Sequence, residues 1–277
     1  MKIIPPVRLR FGLLTMIAAC SALAAPAKDY KLILHRGGVV EDKFPDNSAA
    51  AFEAAVARKA WMLEVDIRET KDGVLVMRHD PDLTLHYHDP RQLRELTWEE
   101  VRQLRSDIAA QHPWRFEDLV KAARDAGLRL MLDSKDPHSA EFCTKVEAIL
   151  KKYGMVGSCY IIGTRDALDH FTGKALVGLK YGALKAKVEG DPDAKNRYFL
   201  FGQGDMTEEM VRWAQARDVK VVPSINVYHY YDAATMAGKP RAELEKIIFA
   251  AARRDIEKFK ALGVTEFQID SEFMQWF

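Results

Sequence analysis

An excess of charge of either sign is missing from this chain of 277 residues. Its 41 lysines and arginines face 40 aspartates and glutamates, a net charge of +1. A nucleic-acid partner would call for a basic excess, so none is expected, although a local basic pocket for a phosphate is compatible with the balance. Cysteine is scarce, with three residues. Cys20 lies in the N-terminal leader, and Cys143 and Cys159 remain as either a disulfide or two unlinked buried thiols. Nothing near them suggests a thiol nucleophile. Long apolar runs are few, and Phe11–Ala24 is too short to span a bilayer comfortably. Beyond residue 28 there is no linker, low-complexity tract or charge block, so one domain over residues 29–277 is expected. Gly202-Gln203-Gly204 lacks the third glycine of a dinucleotide-binding fingerprint.

What is present begins with a leader. Lys2, Arg8 and Arg10 precede the apolar Phe11–Ala24 run, and Ala22-Leu23-Ala24 has small-x-small cleavage character. Residues 1–24 therefore read as a secretory signal peptide, and the expected location is periplasmic or secreted. Ile17-Ala18-Ala19-Cys20 resembles a bacterial lipobox, and membrane association is expected only if Cys20 is lipidated.

With 48% apolar residues the chain can build a sizeable core. Short β-rich apolar runs alternate with amphipathic helical ones, the pattern of an α/β fold with parallel strands. The strand candidates are Lys31–His35, Met62–Ile67, Arg129–Asp133, Cys159–Gly163, Ala175–Lys180, Tyr198–Gly202, Lys220–Ser224 and Glu266–Asp270. Eight such units over this length predict a TIM (β/α)8 barrel. The connection between the fifth and sixth strands is thin. Helix starts are marked by Asn47-Ser48, by the Thr97-Trp98-Glu99-Glu100 capping box and by Thr207.

A ninth run, Val74–His79, follows Met62–Ile67 too closely for a parallel crossover. Asp72-Gly73 between them is a strong hairpin signal. An extra hairpin at the C-terminal rim is expected. A two-residue turn would pair Lys71 with Val74 and set His79 opposite Asp66, and a bulge would shift this by one residue.

Chemistry gathers at the ends of these strands, where barrel sites form. Glu64 and Asp66, two apart on a strand, share a face. Buried together they repel unless a cation lies between them, and oxygen ligands favour Mg²⁺ or Ca²⁺. Asp133, ending another strand, offers a third oxygen, and Lys135 on the same face suits an anionic substrate. His35-Arg36-Gly37-Gly38 ends the first strand with a donor fork suited to phosphate. Tyr228-His229-Tyr230-Tyr231 follows the seventh strand as either pocket lining or loop packing. His86-Tyr87-His88 reads as a polar loop over the mouth rather than a zinc site.

Together these elements resemble the glycerophosphodiester phosphodiesterase family, of the phospholipase C-like TIM-barrel superfamily. The family's run of HRG, PENT, E-x-D, T-x-DG and HD appears as His35-Arg36-Gly37, Pro45-Asp46-Asn47-Ser48, Glu64-Val65-Asp66, Thr70-Lys71-Asp72-Gly73 and His79-Asp80. Its E-I-K strand is matched by Asp133-Ser134-Lys135, and its W-T-V-N stretch by Pro223-Ser224-Ile225-Asn226. The resemblance covers almost all of residues 29–277. Asp46 and Asp133 stand where the family has glutamates, and Pro223 and Ser224 also depart from it. An aspartate as third ligand is similar to the related sphingomyelinase D-like toxins.

With the leader, the resemblance implies an exported, metal-dependent phosphodiesterase that hydrolyses glycerophosphodiesters to glycerol 3-phosphate and an alcohol. It implies His35 and His79 as the acid/base pair, Glu64, Asp66 and Asp133 as ligands of Mg²⁺ or Ca²⁺, and Arg36 and Lys135 as phosphate contacts. Asp46, Asn226 and Tyr228 would line the pocket. The expected partner is a small phosphodiester or a lysolipid. The alternatives are a lysophospholipase D or sphingomyelinase D-like enzyme acting on choline lipids, and a catalytically weak exported binding protein.

Overall fold

A computed structural model describes residues 29–38, 43–135, 139–230 and 238–277. The leader with Cys20, and Tyr231, lie outside the described residues. Among the described residues eleven strands occur in chain order: β1 Lys31–Leu34, β2 Met62–Glu69, β3 Leu75–Met77, β4 Asp82–Leu83, β5 Asp89–Gln92, β6 Arg129–Ser134, β7 Tyr160–Gly163, β8 Leu176–Leu179, β9 Tyr198–Gly202, β10 Lys220–Ile225 and β11 Glu266–Ile269. Eight of them, β1, β2 and β6 to β11, pair in parallel around a closed barrel, sealed where β1 joins both β2 and β11. The thin connection is filled by helix Tyr181–Val188 and a short turn of helix at Ala194–Arg197, so the count of eight parallel strands holds.

Alternation along these strands builds two cores. Inward-facing Ile33, Met62, Met131, Tyr160, Ile162, Phe199 and Val222 fill the barrel. Outward-facing Leu34, Leu63, Leu132, Ile161, Leu200 and Phe267 pack beneath the helices. The inward set continues upward as His35, Glu64 and Asp66, Asp133 and Lys135, so a polar layer sits on an apolar plug. At the opposite mouth Glu266 receives Tyr160 Oη at 2.8 Å, Lys220 Nζ at 3.0 Å and Lys31 Nζ at 3.3 Å. That carboxylate is saturated by its neighbours, whereas at the upper mouth Asp66 and Asp133 share one lysine.

The helix starts behave as the cap residues require. Ser48 Oγ accepts from Ala51 N, Thr97 and Glu100 form a reciprocal box, and Thr207 accepts from Met210 N. Cys143 and Cys159 are buried and unlinked. Burial pushes the Cys159 thiol up to about 12, away from reactivity.

The hairpin forms, but its register is corrected by one residue. Ile67 pairs with Met77 and Glu69 with Leu75, and Arg78 N donates to Asp66 O at 3.0 Å. Arg78, not His79, therefore stands opposite Asp66. The cause lies in Thr70. Its main-chain N–H donates to Val74 O, while its Oγ1 accepts from Val74 N at 2.9 Å and donates to Asp72 Oδ1 at 2.6 Å. The loop is thus Lys71-Asp72-Gly73, one residue longer than the two-residue turn, with Gly73 at φ 81° taking the left-handed position. The small antiparallel pair of β4 and β5 beside the mouth carries no signal of its own in the sequence.

Candidate active site

Parallel register brings the acidic residues together. Asp66 on β2 is the direct neighbour of Asp133 on β6, and Glu64 lies two residues below Asp66 on the same inward face. Glu64 and Asp66 are each 1% exposed. One oxygen from each of Glu64, Asp66 and Asp133 lies within 4.8 Å of the others, and this is the one such metal-compatible group among the described residues. The spacing and the all-oxygen donor set fit a hard divalent cation. Gly163 makes the arrangement possible: at φ +105° it faces Asp133, where an added Cβ would lie 2.4 Å from Asp133 Oδ1.

Electrostatics agree with a cation site. Burial, then the adjacent Asp66 charge, pushes the Glu64 carboxyl well above its ordinary range, although His35 pulls it down. Burial also raises Asp133, against the pull of Lys135. Burial works on Asp66 in the same direction, but Lys135 and both histidines outweigh it and hold its carboxyl below the usual range. Lys135 Nζ lies 2.6 Å from Asp133 Oδ2 and 3.2 Å from Asp66 Oδ1, so an ammonium already occupies one side of the cluster.

Asn47 orients Asp66 from the other side. Its Nδ2 donates to Asp66 Oδ2 at 2.9 Å and its Oδ1 accepts from Asp66 N at 3.1 Å. Asn47 sits in the left-handed region at φ 56°, which frees its side chain from helix capping and leaves that role to Ser48.

His35 starts a 3-10 turn directly after β1. Its Nδ1–H donates to Asp270 Oδ1 at 2.7 Å, and its Nε2 points towards Glu64 Oε2, 3.9 Å away. Asp270 is fixed in turn by Val227 N, which donates to its other oxygen at 2.6 Å. Burial lowers the basicity of His35, but the Asp270 hydrogen bond and the charges of Asp270, Glu64 and Asp66 overcome it and raise the pKa to about 9. Asp270 was visible in the sequence only as the end of the last strand.

Arg36 adopts φ 51°, ψ 45°, a left-handed turn that aims its N–H at Glu64 Oε2, 2.8 Å away. Its guanidinium bonds Asp46 Oδ2 at 3.1 Å and stacks 4.7 Å from the centroid of the Tyr228 ring. His35, Arg36, Asp46, Tyr228 and Asp270, with Phe44, Leu85, His86, Val227 and Glu272, line a cleft of about 170 Å³.

His79 stays beside the cluster despite the register shift, and its charge bears on both Asp66 and Asp133. Arg68 grips its main-chain carbonyl with Nε at 2.9 Å and Nη2 at 2.7 Å. Its Nδ1 pairs with Asp80 Oδ1 at 2.8 Å. That hydrogen bond, with the Arg78 and Arg36 charges opposing burial, holds the Asp80 carboxyl down to about 2.

Asn226 is buried, with Nδ2 at 3.1 Å from His229 Nε2. Tyr230 reaches away to Asp255 at 2.9 Å. Burial and the nearby His35 lower the pKa of His229, a third histidine close to the site that the sequence showed only inside an aromatic run. His86 and His88 both pair with Asp107, as a polar loop does, and His86 faces the cleft.

Comparison with known proteins follows the same lines. The chain is 34% identical over 101 residues to human glycerophosphodiester phosphodiesterase 1, covering 36% of this chain and 29% of that protein. It is 28% identical over 166 residues to the Mycobacterium tuberculosis protein called probable glycerophosphodiester phosphodiesterase 2, covering 59% of this chain and 61% of that one. The matches therefore span from under a third to about three fifths of these relatives' lengths. The fold is shared with an Oleispira antarctica phosphodiesterase whose structure holds the product sn-glycerol-3-phosphate, at TM-score 0.64 and 16% identity over 87% of this chain and 93% of the other. Residues 35–226, more than half of the sequence, match the family model, and the chain belongs to the glycerophosphoryl diester phosphodiesterase family.

Proposed function

We propose that this protein is a divalent-metal-dependent phosphodiesterase that cleaves glycerophosphodiesters to glycerol 3-phosphate and an alcohol. One observation carries the reading. A three-carboxylate cluster one ion wide shares a barrel mouth with two histidines, each paired through Nδ1 with its own aspartate. The product bound to the Oleispira antarctica relative supports the same chemistry.

Glu64, Asp66 and Asp133 would hold the Mg²⁺ or Ca²⁺ ion. The chemistry such an ion supplies when bound is polarisation of a phosphoryl oxygen. Arg36 and Lys135 offset charge as it builds on the phosphoryl oxygens. With Nδ1 committed to Asp270 and Asp80, His35 and His79 keep Nε2 for proton movement. One removes the proton from the attacking oxygen, which the family resemblance implies is the substrate's neighbouring hydroxyl, and the other protonates the leaving alcohol; water then opens the resulting cyclic phosphate to glycerol 3-phosphate.

The test is glycerol 3-phosphate release from glycerophosphocholine. His35→Ala and His79→Ala should each lower kcat by about 10²–10⁴-fold with folding intact, the range of a single general acid or base. A near-normal kcat in either variant would contradict the assignment. Faster turnover of lysophosphatidylcholine than of glycerophosphocholine would shift the reading to a lysophospholipase D. The basic, apolar and small-residue order of residues 1–24 supports export, which mass spectrometry of the mature N-terminus would check.

A further inference from the structure

Arg78 is 3% exposed, a depth that arginine reaches almost only when its charge is matched. Its Nε donates to Asp82 O at 3.0 Å, and its guanidinium carbon lies 5.8 Å from the centroid of the Tyr87 ring. Two carboxylates face it: Asp46 Oδ1 at 3.9 Å from Nη1 and Asp80 Oδ2 at 3.6 Å from Nη2. Each of those carboxylates commits its other oxygen to the site. Asp46 Oδ2 accepts from Arg36 Nη1, and Asp80 Oδ1 pairs with His79 Nδ1. One buried cation thus stands between the partner of the phosphate-contacting arginine and the partner of a histidine.

The arrangement is more than a filled core position. A charge removed from water with one direct hydrogen bond is strongly disfavoured unless nearby anions offset it. Among the described residues Arg78 Nη2 and Asp46 Oδ1 have no hydrogen-bond partner, so the guanidinium acts on these two aspartates through charge at ion-pair distance. The hairpin register sets this up, because the shift by one residue turns Arg78, rather than His79, inward opposite Asp66.

We infer that Arg78 is a positioning residue: its buried guanidinium holds Asp80 and Asp46 in place, and through them orients His79 beside the carboxylate cluster and Arg36 towards the cleft. The inference rests on the roles proposed above for His79 and Arg36.

The experiment compares kcat and KM for glycerophosphocholine in Arg78→Met, Arg78→Lys, Asp80→Asn and the Arg78→Met/Asp80→Asn double variant, with His79→Ala as reference. Arg78→Met should lower kcat about 10- to 100-fold, as expected for loss of an outer partner of a catalytic group. Its KM should rise through the Asp46–Arg36 arm. Arg78→Lys should recover part of the loss. In the Asp80→Asn background Arg78→Met should cost kcat several-fold less than it costs the parent, because the route to His79 is already cut and only the Asp46–Arg36 arm remains. If Arg78→Met does not fold, Arg78→Lys and its double variant with Asp80→Asn carry the same comparison. A kcat within about twofold of the parent while His79→Ala is inactive, or effects of Arg78 and Asp80 that multiply independently, would overturn the inference and leave the proposed function standing. An active His79→Ala would instead overturn the reading beneath it, and the inference with it.

Discussion

Single residues at the upper mouth are set by partners that the sequence shows only in part. Glu64, Asp66 and Asp133 were legible because alternation and strand ends place them. Asn47 was legible as a cap and as a motif position, but nothing local reveals that its amide reaches across to Asp66. Asp270 was hidden for the same reason, since it meets His35 only when the last strand closes the barrel. That pair has a consequence for pH. The His35 imidazole is raised to about 9 in the folded protein, against about 6.5 in an unfolded chain. Its stabilisation is therefore complete below about pH 6.5 and is lost as pH rises through about 9. In metal-free protein the urea midpoint of the parent should fall across that window more steeply than that of Asp270→Asn. Parallel curves for the two would contradict the pairing.

At the scale of elements, the eight parallel strands were legible because both their faces are covered, which leaves continuous apolar runs between helical stripes. The hairpin was legible as a hairpin and not in register. Asp72-Gly73 signals a tight turn, but the Thr70 hydroxyl lengthens the loop by bonding both Val74 N and Asp72. Thr70 is fully buried, so Thr70→Val would leave Val74 N short of its partner, while exposed Asp72 keeps Trp98 N. Thr70→Val should cost about 1–3 kcal/mol in urea unfolding. It should also lower kcat, because the returning strand carries His79. A variant as stable and active as the parent would remove Thr70 from the account of the register.

The whole molecule is a barrel with two unlike mouths. The lower one is closed by Glu266, whose carboxyl burial would raise but which Lys220, Tyr160 and Lys31 hold below the ordinary range. Glu266→Gln should lower stability by about 1–3 kcal/mol and leave kcat unchanged, since no substrate-facing group depends on it. A fall in kcat at full folding would contradict this division between the mouths. The upper mouth keeps three carboxylates within 4.8 Å of one another, and one lysine lies between Asp66 and Asp133. The most direct test is glycerophosphocholine turnover as Mg²⁺ or Ca²⁺ is titrated into EDTA-stripped protein. The account predicts no turnover at the start, saturable recovery in the parent and none in Asp66→Ala. Full turnover in EDTA would contradict it.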